Sequence, residues 1–262
     1  MNEGGFLPLL KLFIFNGCLI AVIVGALILC RKKVRTQRGK NALLLIAAVL
    51  TILCHYSSLL YHALGDGKVL EYLKSNPNLL LPIYPCNAVM WCCLIFGCLR
   101  KKDGVLGRFL TDYIFWFGVI SCVGGMFANV DFIRNPNLLD YDVTKGTTAH
   151  AFMLFNVLLL PVLGYVKVDL MKNLLHIFVS IIMMFLLGLY CHLTFTVLAG
   201  TDAAWNVNAM FISHSPFDGV PFLRYPVIAL GALIVYFGIF CLCELFAYEK
   251  GNRWLGRLKK KA

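Results

Sequence analysis

The stretch LLLPIYPCNAVMWCC, residues 79–93, places Pro82, Pro85, a thiol and an amide inside an otherwise apolar run. Proline disfavours helical geometry in the residue before it, so the run predicts extended chain first and a helix that begins near Cys86. The first N–H groups of a helix have no partner within it, and here they would face the thiol and favour its anionic form. The stretch therefore predicts a helix start directed at a thiol, with an ordinary proline-initiated span as the alternative.

Composition around this stretch places the chain in a membrane. Of the 262 residues, 60% are hydrophobic and 14% are charged, against about 25% charged in ordinary soluble domains. Long apolar runs without the alternating pattern of a membrane barrel predict helices of about 20 residues each. The predicted fold is all-α, one transmembrane bundle over residues 1–262. Its seven predicted spans are residues 6–30, 41–64, 79–99, 109–128, 148–166, 173–199 and 225–248.

Basic residues orient the predicted bundle. Residues 31–40 carry six Lys or Arg, residues 100–108 carry four, and the tail 250–261 carries six more. With Lys167 and Lys172, 18 of the 24 basic residues lie on one side, which the positive-inside rule makes cytoplasmic. Seven spans then predict an external N-terminus and a cytoplasmic C-terminus. Most of the net charge of +11 reflects this topology, and these basic residues would also contact anionic lipid headgroups. No nucleic-acid partner is predicted.

The 11 cysteines predict packing and no disulfide framework, because the predicted external loops contain none. Inside an apolar span cysteine usually behaves as a small buried hydrophobe. Cys30 and Cys98 lie at the predicted cytoplasmic ends beside basic residues, where acylation in a eukaryote is the alternative to packing.

Polar side chains inside the membrane are costly and therefore indicate function. Cys86 and Asn87 lie in the first turns of span 3 from the predicted outside, and His62 ends span 2 on that side. His150 is predicted to open span 5 after KGTT, whose threonines suit a helix cap. His192 lies in the outer half of span 6. Five of the six histidines thus share the predicted outer half with the thiol.

A thiol beside an imidazole can become a thiolate, which is a strong nucleophile. Cys86 would then accept an acyl group as a thioester, while a histidine acts first as general base and then as general acid. An amide such as Asn87 would donate a hydrogen bond to the developing oxyanion. A site in the outer half of a bundle is within reach of lipid acyl esters.

Among the histidines, His150 is favoured as the base. His62 and His192 are predicted to be supports or ligand contacts, and His55 to pack in the core. The alternatives are a metal site built from His62, Cys86, His150 and His192, which no local ligand spacing supports, and haem held by paired histidines. We predict neither a metal nor another cofactor.

Four stretches in order resemble the YwaF-type integral membrane protein family, which also contains transmembrane protein 164. The resemblance covers roughly residues 45–245, and its specificity lies in the order and spacing of the stretches. They are LPIYPCN (81–87), FWFGVISCVGGMFANVDF (115–132), TTAHAFMLFNVLLLPVLG (147–164) and NVNAMFISHSPFDGVPFLRYP (206–226).

The resemblance implies a bundle of six or seven helices and, from the vertebrate members, a cysteine-dependent acyltransferase that moves polyunsaturated acyl chains between phospholipids, including ether lipids. Cys86 matches the cysteine at the outer start of a span, and His150 matches the histidine that opens another. Bacterial members read Pro-Leu-His-Leu-Cys-Asp, where this chain has Tyr84 for the histidine and Asn87 for the acid. Tyr84 and Asn87 are therefore predicted as substrate contacts or supports.

Two functional classes remain open after the sequence. The first is a lipid acyltransferase with membrane phospholipids as acyl donor and acceptor. The second is a non-catalytic protein that binds or transports a lipid or small molecule in the same polar pocket. The sequence lacks the Asp-Arg-Tyr and Asn-Pro-x-x-Tyr signatures of the large G-protein-coupled receptor class. The predicted location is the plasma membrane of a bacterium, or an endomembrane such as the ER or Golgi of a eukaryote.

Overall fold

A computed structural model describes residues 6–127, 137–199, 207–215, 220–249 and 252–259. Helix makes up 80% of the structure, and these residues contain no strand. Residue 128 of the fourth predicted span and basic residues 250, 260 and 261 of the tail lie outside them. The α-helices are α1 (Phe6–Lys33), α2 (Gln37–Leu64), α3 (Val69–Ser75), α4 (Pro85–Cys98), α5 (Val105–Asp112), α6 (Gly118–Phe127), α7 (Tyr141–Val162), α8 (Leu170–Ala199), α9 (Tyr225–Ala247) and α10 (Trp254–Lys259).

Six helical segments among the described residues are long and apolar enough to cross a membrane. One of them joins α5 to α6 through a π-helical turn at Tyr113–Phe117. Together they indicate an integral, multi-pass membrane protein, and the predicted all-α class is confirmed. Seven spans and the orientation of the termini stay predictions. The six segments are Leu10–Lys33, Gln37–Leu64, Val105–Phe127, Tyr141–Val162, Leu170–Leu198 and Tyr225–Phe246.

The remaining apolar helix, α4, is shorter than the predicted span 79–99. It has 14 residues, about 21 Å of helix rise, whereas the hydrocarbon layer is about 30 Å thick. Tyr84 precedes it in extended conformation (φ −120°, ψ 154°), and Pro85 occupies its first turn. The predicted helix start near Cys86 is confirmed. Non-helical backbone at membrane depth is tolerated only where protein covers it or a cavity adjoins it. The start of α4 is therefore a candidate location for a functional site.

Helix α7 begins at Tyr141, seven residues before the predicted start of span 5. Asp140 caps it, because its carboxylate accepts the backbone N–H of Asp142 at 3.0 Å. The prediction that His150 opens this helix after threonine caps is therefore wrong. The Thr148 hydroxyl donates to a backbone carbonyl one turn earlier, and His150 lies in the third turn. A capping aspartate satisfies the first N–H groups as well as threonine does.

The chain divides into two compact units, Met1–Tyr165 and Val166–Ala262. In the first, α2 packs against α4 and α7, while α7 also packs against α1 and α6. In the second, α8 packs against α9. The single bundle over residues 1–262 stays a prediction.

A buried lysine caps the C-terminal end of the short helix α4. Lys102 Nζ donates to the backbone carbonyls of Gly97 (3.2 Å) and Leu99 (2.7 Å), and it lies 5.2 Å from the centre of the Phe96 ring. Carbonyls at a helix C-terminus lack partners within the helix, so the ammonium group stabilises this end. Burial lowers the pKa of Lys102 below its usual value of 10.5.

A buried carboxylate connects three helices of the second unit. Glu244 accepts the backbone N–H of Leu170 (3.2 Å) and of Trp254 (2.7 Å), and Arg257 donates to it at 2.8 Å. These three bonds connect α8, α9 and α10. Buried charges are tolerated when they are paired and hydrogen-bonded in this way.

All 11 cysteines are free, and all of them lie in helices.

Candidate functional site

The Cys86 side chain lies half-buried in the first turn of α4. Its sulfur contacts the backbone N–H groups of Cys86 and Asn87. The N–H groups of Asn87 and Ala88 also donate to the Tyr84 carbonyl, at 3.1 and 3.3 Å. Part of the donor capacity at the helix start is therefore already used, and its direction towards the thiol stays a prediction.

The imidazole of His150 has a defined orientation. Its Nδ1 lies 2.8 Å from the Gly146 carbonyl, and because a carbonyl only accepts, Nδ1 carries the proton and donates. In the neutral ring Nε2 is then unprotonated, which is the state of a general base. The Nε2 edge packs against α6 at Gly125, where a Cβ atom would lie only 2.2 Å from Nε2. Glycine at this position allows the close approach.

A second glycine fixes the register of three helices. A Cβ atom at Gly118 would lie 2.5 Å from Val157 and 3.2 Å from Val89, so α6, α7 and α4 meet there. Cys86 lies one turn from Val89 along α4, and Cys122 one turn from Gly118 along α6.

This register sets the relative heights of Cys86 and His150 along the helix axes. Cys122 is within electrostatic range of Cys86, and Gly125, one turn further along α6, contacts His150. The thiol and the imidazole are therefore separated by about one helical turn, roughly 5 Å along the helix axes. No hydrogen bond joins them in the described part of the chain. Catalytic hydrogen bonds are often long or unmade without substrate, so their pairing stays a prediction.

His55 and Asn87 are buried polar residues whose side chains each leave one atom without a partner. His55 is 6% exposed and Asn87 3% exposed, and His55 Nε2 and Asn87 Oδ1 have no hydrogen bond. The backbone of Asn78 lies close to the ring of His55. A Cβ atom at Gly97 would lie 3.1 Å from the Leu45 Cα atom, and this antiparallel register puts Asn87 and His55 at similar heights.

His55 lies in the core, as predicted, but its missing partner could not be read from the sequence. An unpaired buried polar atom costs about 1–3 kcal/mol. Two such acceptors beside the start of α4 favour a ligand hydroxyl or water there.

Lys145 is a site residue that sequence reasoning missed. It lies within electrostatic range of Cys54, His55 and His150. The late predicted start of span 5 had put this lysine in a loop, whereas α7 carries it in its second turn. The sequence signal for the earlier start is Asp140. Aspartate is a preferred N-cap residue, so it predicts a helix that begins directly after it.

His62 belongs to a separate cluster where α2 ends and α7 begins. Its Nε2 lies 3.0 Å from Asp142 and its Nδ1 3.3 Å from Asp66, and its ring stacks on Tyr72 at 3.9 Å. Tyr72 in turn donates to the second Asp142 oxygen at 2.9 Å. The supporting role predicted for His62 fits this arrangement, and in the described residues it makes no hydrogen bond to Cys86.

Two titrating groups of this cluster have shifted pKa values. Burial raises the pKa of Tyr72 well above 10, and the neighbouring Asp142 carboxylate also raises it. The backbone N–H of Lys68 lowers the pKa of Asp66 below its usual 3.8.

His192 lies in the second unit, where its Nδ1 donates to the Val207 carbonyl at 3.1 Å. This bond connects α8 to residues 207–215. The convergence of His192 with Cys86 stays a prediction. Tyr84 lies at the N-cap of α4, and 38% of it is exposed.

No group of three His, Cys, Asp or Glu side chains that could hold a metal ion occurs within the described ranges.

Comparison with known proteins gives no match: no family model, no curated protein and no solved structure is similar to this chain. The functional assignment therefore depends on the chemistry and geometry of its own residues.

Proposed function

We propose that this integral membrane protein is a lipid acyltransferase of the YwaF-type family, with Cys86 as nucleophile and His150 as general base. The observation that supports this most is the state of His150. Its Nδ1 proton is held by the Gly146 carbonyl, which leaves Nε2 as the acceptor, and this nitrogen faces α6 at Gly125.

The reaction has two halves. In the first, the Cys86 thiol gives its proton to His150 Nε2, and the sulfur attacks the ester carbonyl of a phospholipid. The C–O bond breaks, the leaving alkoxide takes the proton from His150, and a thioester remains on Cys86. In the second half, the hydroxyl of a lysolipid attacks the thioester, its proton passes through His150 to the departing sulfur, and a new ester forms.

Asn87 stabilises the charge that develops on the carbonyl oxygen. Its amide nitrogen is a donor on the residue that follows Cys86 in the first turn of α4, and a fixed donor in a site without water strongly stabilises an oxyanion. Asn87→Ala should lower the rate less than loss of Cys86 or His150. A loss as large as theirs would mean that Asn87 also replaces the acid of the bacterial motif.

Acyl-enzyme trapping tests the proposal. Purified protein in lipid nanodiscs is incubated with a phospholipid that carries a labelled acyl chain, and protein-bound label is measured before and after neutral hydroxylamine, which cleaves thioesters. Wild type should bind label that hydroxylamine releases, and Cys86→Ser should bind none of it, because a hydroxyl is a far weaker nucleophile.

His150→Ala should slow labelling by about 10²–10⁴-fold, the usual contribution of a general base. His176→Ala, in the second unit, is the control and should label as wild type does. Full transfer by Cys86→Ser would overturn the thioester mechanism.

A non-catalytic lipid-binding protein is the second candidate. It is favoured by the surface groove described below, which needs no thiol to bind a lipid. In that case no variant would change label transfer, because there would be none, and lipid binding would be independent of Cys86.

A further inference from the structure

Two neighbouring grooves follow the contact between α2 and α7, with volumes of about 440 and 430 Å³. They share Ser57 and Tyr141, whose hydroxyl groups lie 2.5 Å apart, so they form one continuous surface, named here the α2–α7 groove. The first part is lined by Ser57, Leu60, Tyr61, Leu64, Gly65 and Tyr141. The second adds Cys54, Leu138, Leu139, Asp140, Thr144, Lys145 and Thr148.

The first part of the groove is apolar and aromatic. Leu60 is 63% exposed and Leu64 79% exposed, which suits contact with lipid. Tyr61 stacks on Tyr141 with ring centres 4.2 Å apart. The ring faces that remain open make an aromatic surface, which attracts a quaternary ammonium group.

The second part of the groove is polar. The hydroxyls of Ser57, Thr144 and Thr148 donate to backbone carbonyls. Asp140 accepts two backbone N–H groups at the start of α7, where the helix dipole further offsets its charge. Lys145 is the cation in this lining, so the polar part attracts an anion.

The two attractions lie one turn apart on the same face of α7. Lys145 is four residues beyond Tyr141 on α7, about 6 Å of helix rise, which is close to the separation of phosphate and ammonium in a phosphocholine group. The phosphate would lie nearer the middle of α7 and the ammonium nearer its start, and the acyl esters would follow beyond the phosphate. In that direction Lys145 is within electrostatic range of His150 and His55.

We propose that the α2–α7 groove binds the headgroup of a membrane phospholipid that carries a quaternary ammonium, with the phosphate on Lys145 and the ammonium on the Tyr61–Tyr141 pair. The binding stands independently of catalysis. That this lipid is the acyl donor or acceptor rests on the proposed function.

Photo-crosslinking in nanodiscs tests the groove. Full-length protein is equilibrated with a photoactivatable phosphatidylcholine, and unlabelled lipids compete. Phosphatidylcholine should compete best, phosphatidylglycerol less well because it lacks the ammonium, and diacylglycerol poorly because it lacks the phosphate. Competition by inorganic phosphate in the buffer as strong as that by phosphatidylcholine would show a simple anion site and overturn the proposal.

Variants separate the two contacts. Lys145→Met should weaken phosphatidylcholine binding by about 10-fold or more, because a hydrogen bond to a charged group is lost, and Lys145→Arg should retain it. Tyr61→Leu should weaken phosphatidylcholine by a few-fold and leave phosphatidylglycerol unchanged. Lys68→Met is the matched control, since this exposed lysine is paired with Glu71 outside the groove.

The outcomes also separate this inference from the proposed function. Unchanged binding by Lys145→Met would refute the groove, whatever the acyl-enzyme assay shows. Lysine-dependent binding in a protein that forms no thioester would support the groove and refute the acyltransferase.

Discussion

Replacing Gly125 with alanine should displace the His150 imidazole. The new Cβ atom would lie 2.2 Å from both Nε2 and Cδ2 of His150. Since such contacts are essentially never closer than 3.0 Å, the ring must retreat by about 0.8 Å. A shift of that size lengthens the 2.8 Å bond to the Gly146 carbonyl to as much as about 3.6 Å, at which distance it is no longer a hydrogen bond.

The expected cost has two opposing parts. Overpacking and the lost hydrogen bond destabilise by about 1–3 kcal/mol, while alanine in a helix is favoured over glycine by about 0.5–1 kcal/mol. Gly124→Ala is the matched control, because a Cβ atom at Gly124 meets nothing within 4 Å, so only the helix term applies. The free energy of unfolding of the two variants should therefore differ by about 1–3 kcal/mol.

A double-mutant cycle identifies the cause. In a His150→Ala background the space beside Gly125 is empty, and Gly125→Ala should then behave as Gly124→Ala does. Urea unfolding in detergent gives the free energies, and acyl-enzyme formation at Cys86 gives the functional readout, which Gly125→Ala should lower and Gly124→Ala should not. Equal stability and equal labelling of the two glycine variants would refute the placement of His150 against α6.

Three further predictions concern the ends of the helices. Lys102→Met should destabilise the protein by about 1–3 kcal/mol, because two carbonyls at the end of α4 lose their donor. Because the folded pKa of Lys102 lies below 10.5, the unfolded chain binds this proton more tightly, so wild-type stability should rise with pH between the lowered value and 10.5, and thermal unfolding of Lys102→Met should lack that rise. Asp66 has a lowered folded pKa, so its contribution is present above pH 3.8 and lost as pH falls through the folded value. Thermal melts of wild type and Asp66→Asn should converge in acid, and a constant difference would contradict this. Single cysteines introduced into residues 31–40 should react with a membrane-impermeant maleimide only after the membrane is opened, and labelling in intact cells would reverse the predicted orientation.

Much of the helix architecture follows from local sequence. Apolar runs predicted the membrane helices, since no other secondary structure satisfies the backbone within one segment in lipid. The Pro-Cys-Asn start of α4 was also predictable, because proline restricts the residue before it. The late start predicted for span 5 was wrong because hydropathy weights the apolar residues. The true start depends on the Asp140 side chain, which accepts two backbone N–H groups, and this earlier start places Lys145 in a helix.

The sequence by itself determined the membrane class, the all-α fold and the helix that starts near Cys86, because each depends on neighbouring residues along the chain. The tertiary structure alone decided which side chains meet. Only packing shows that Gly125 admits the His150 ring, that His62 pairs with Asp142, and that Lys145 joins Tyr61 and Tyr141 in one groove. These contacts link residues far apart in the chain, and their distances depend on the register and tilt of packed helices, which no local pattern encodes.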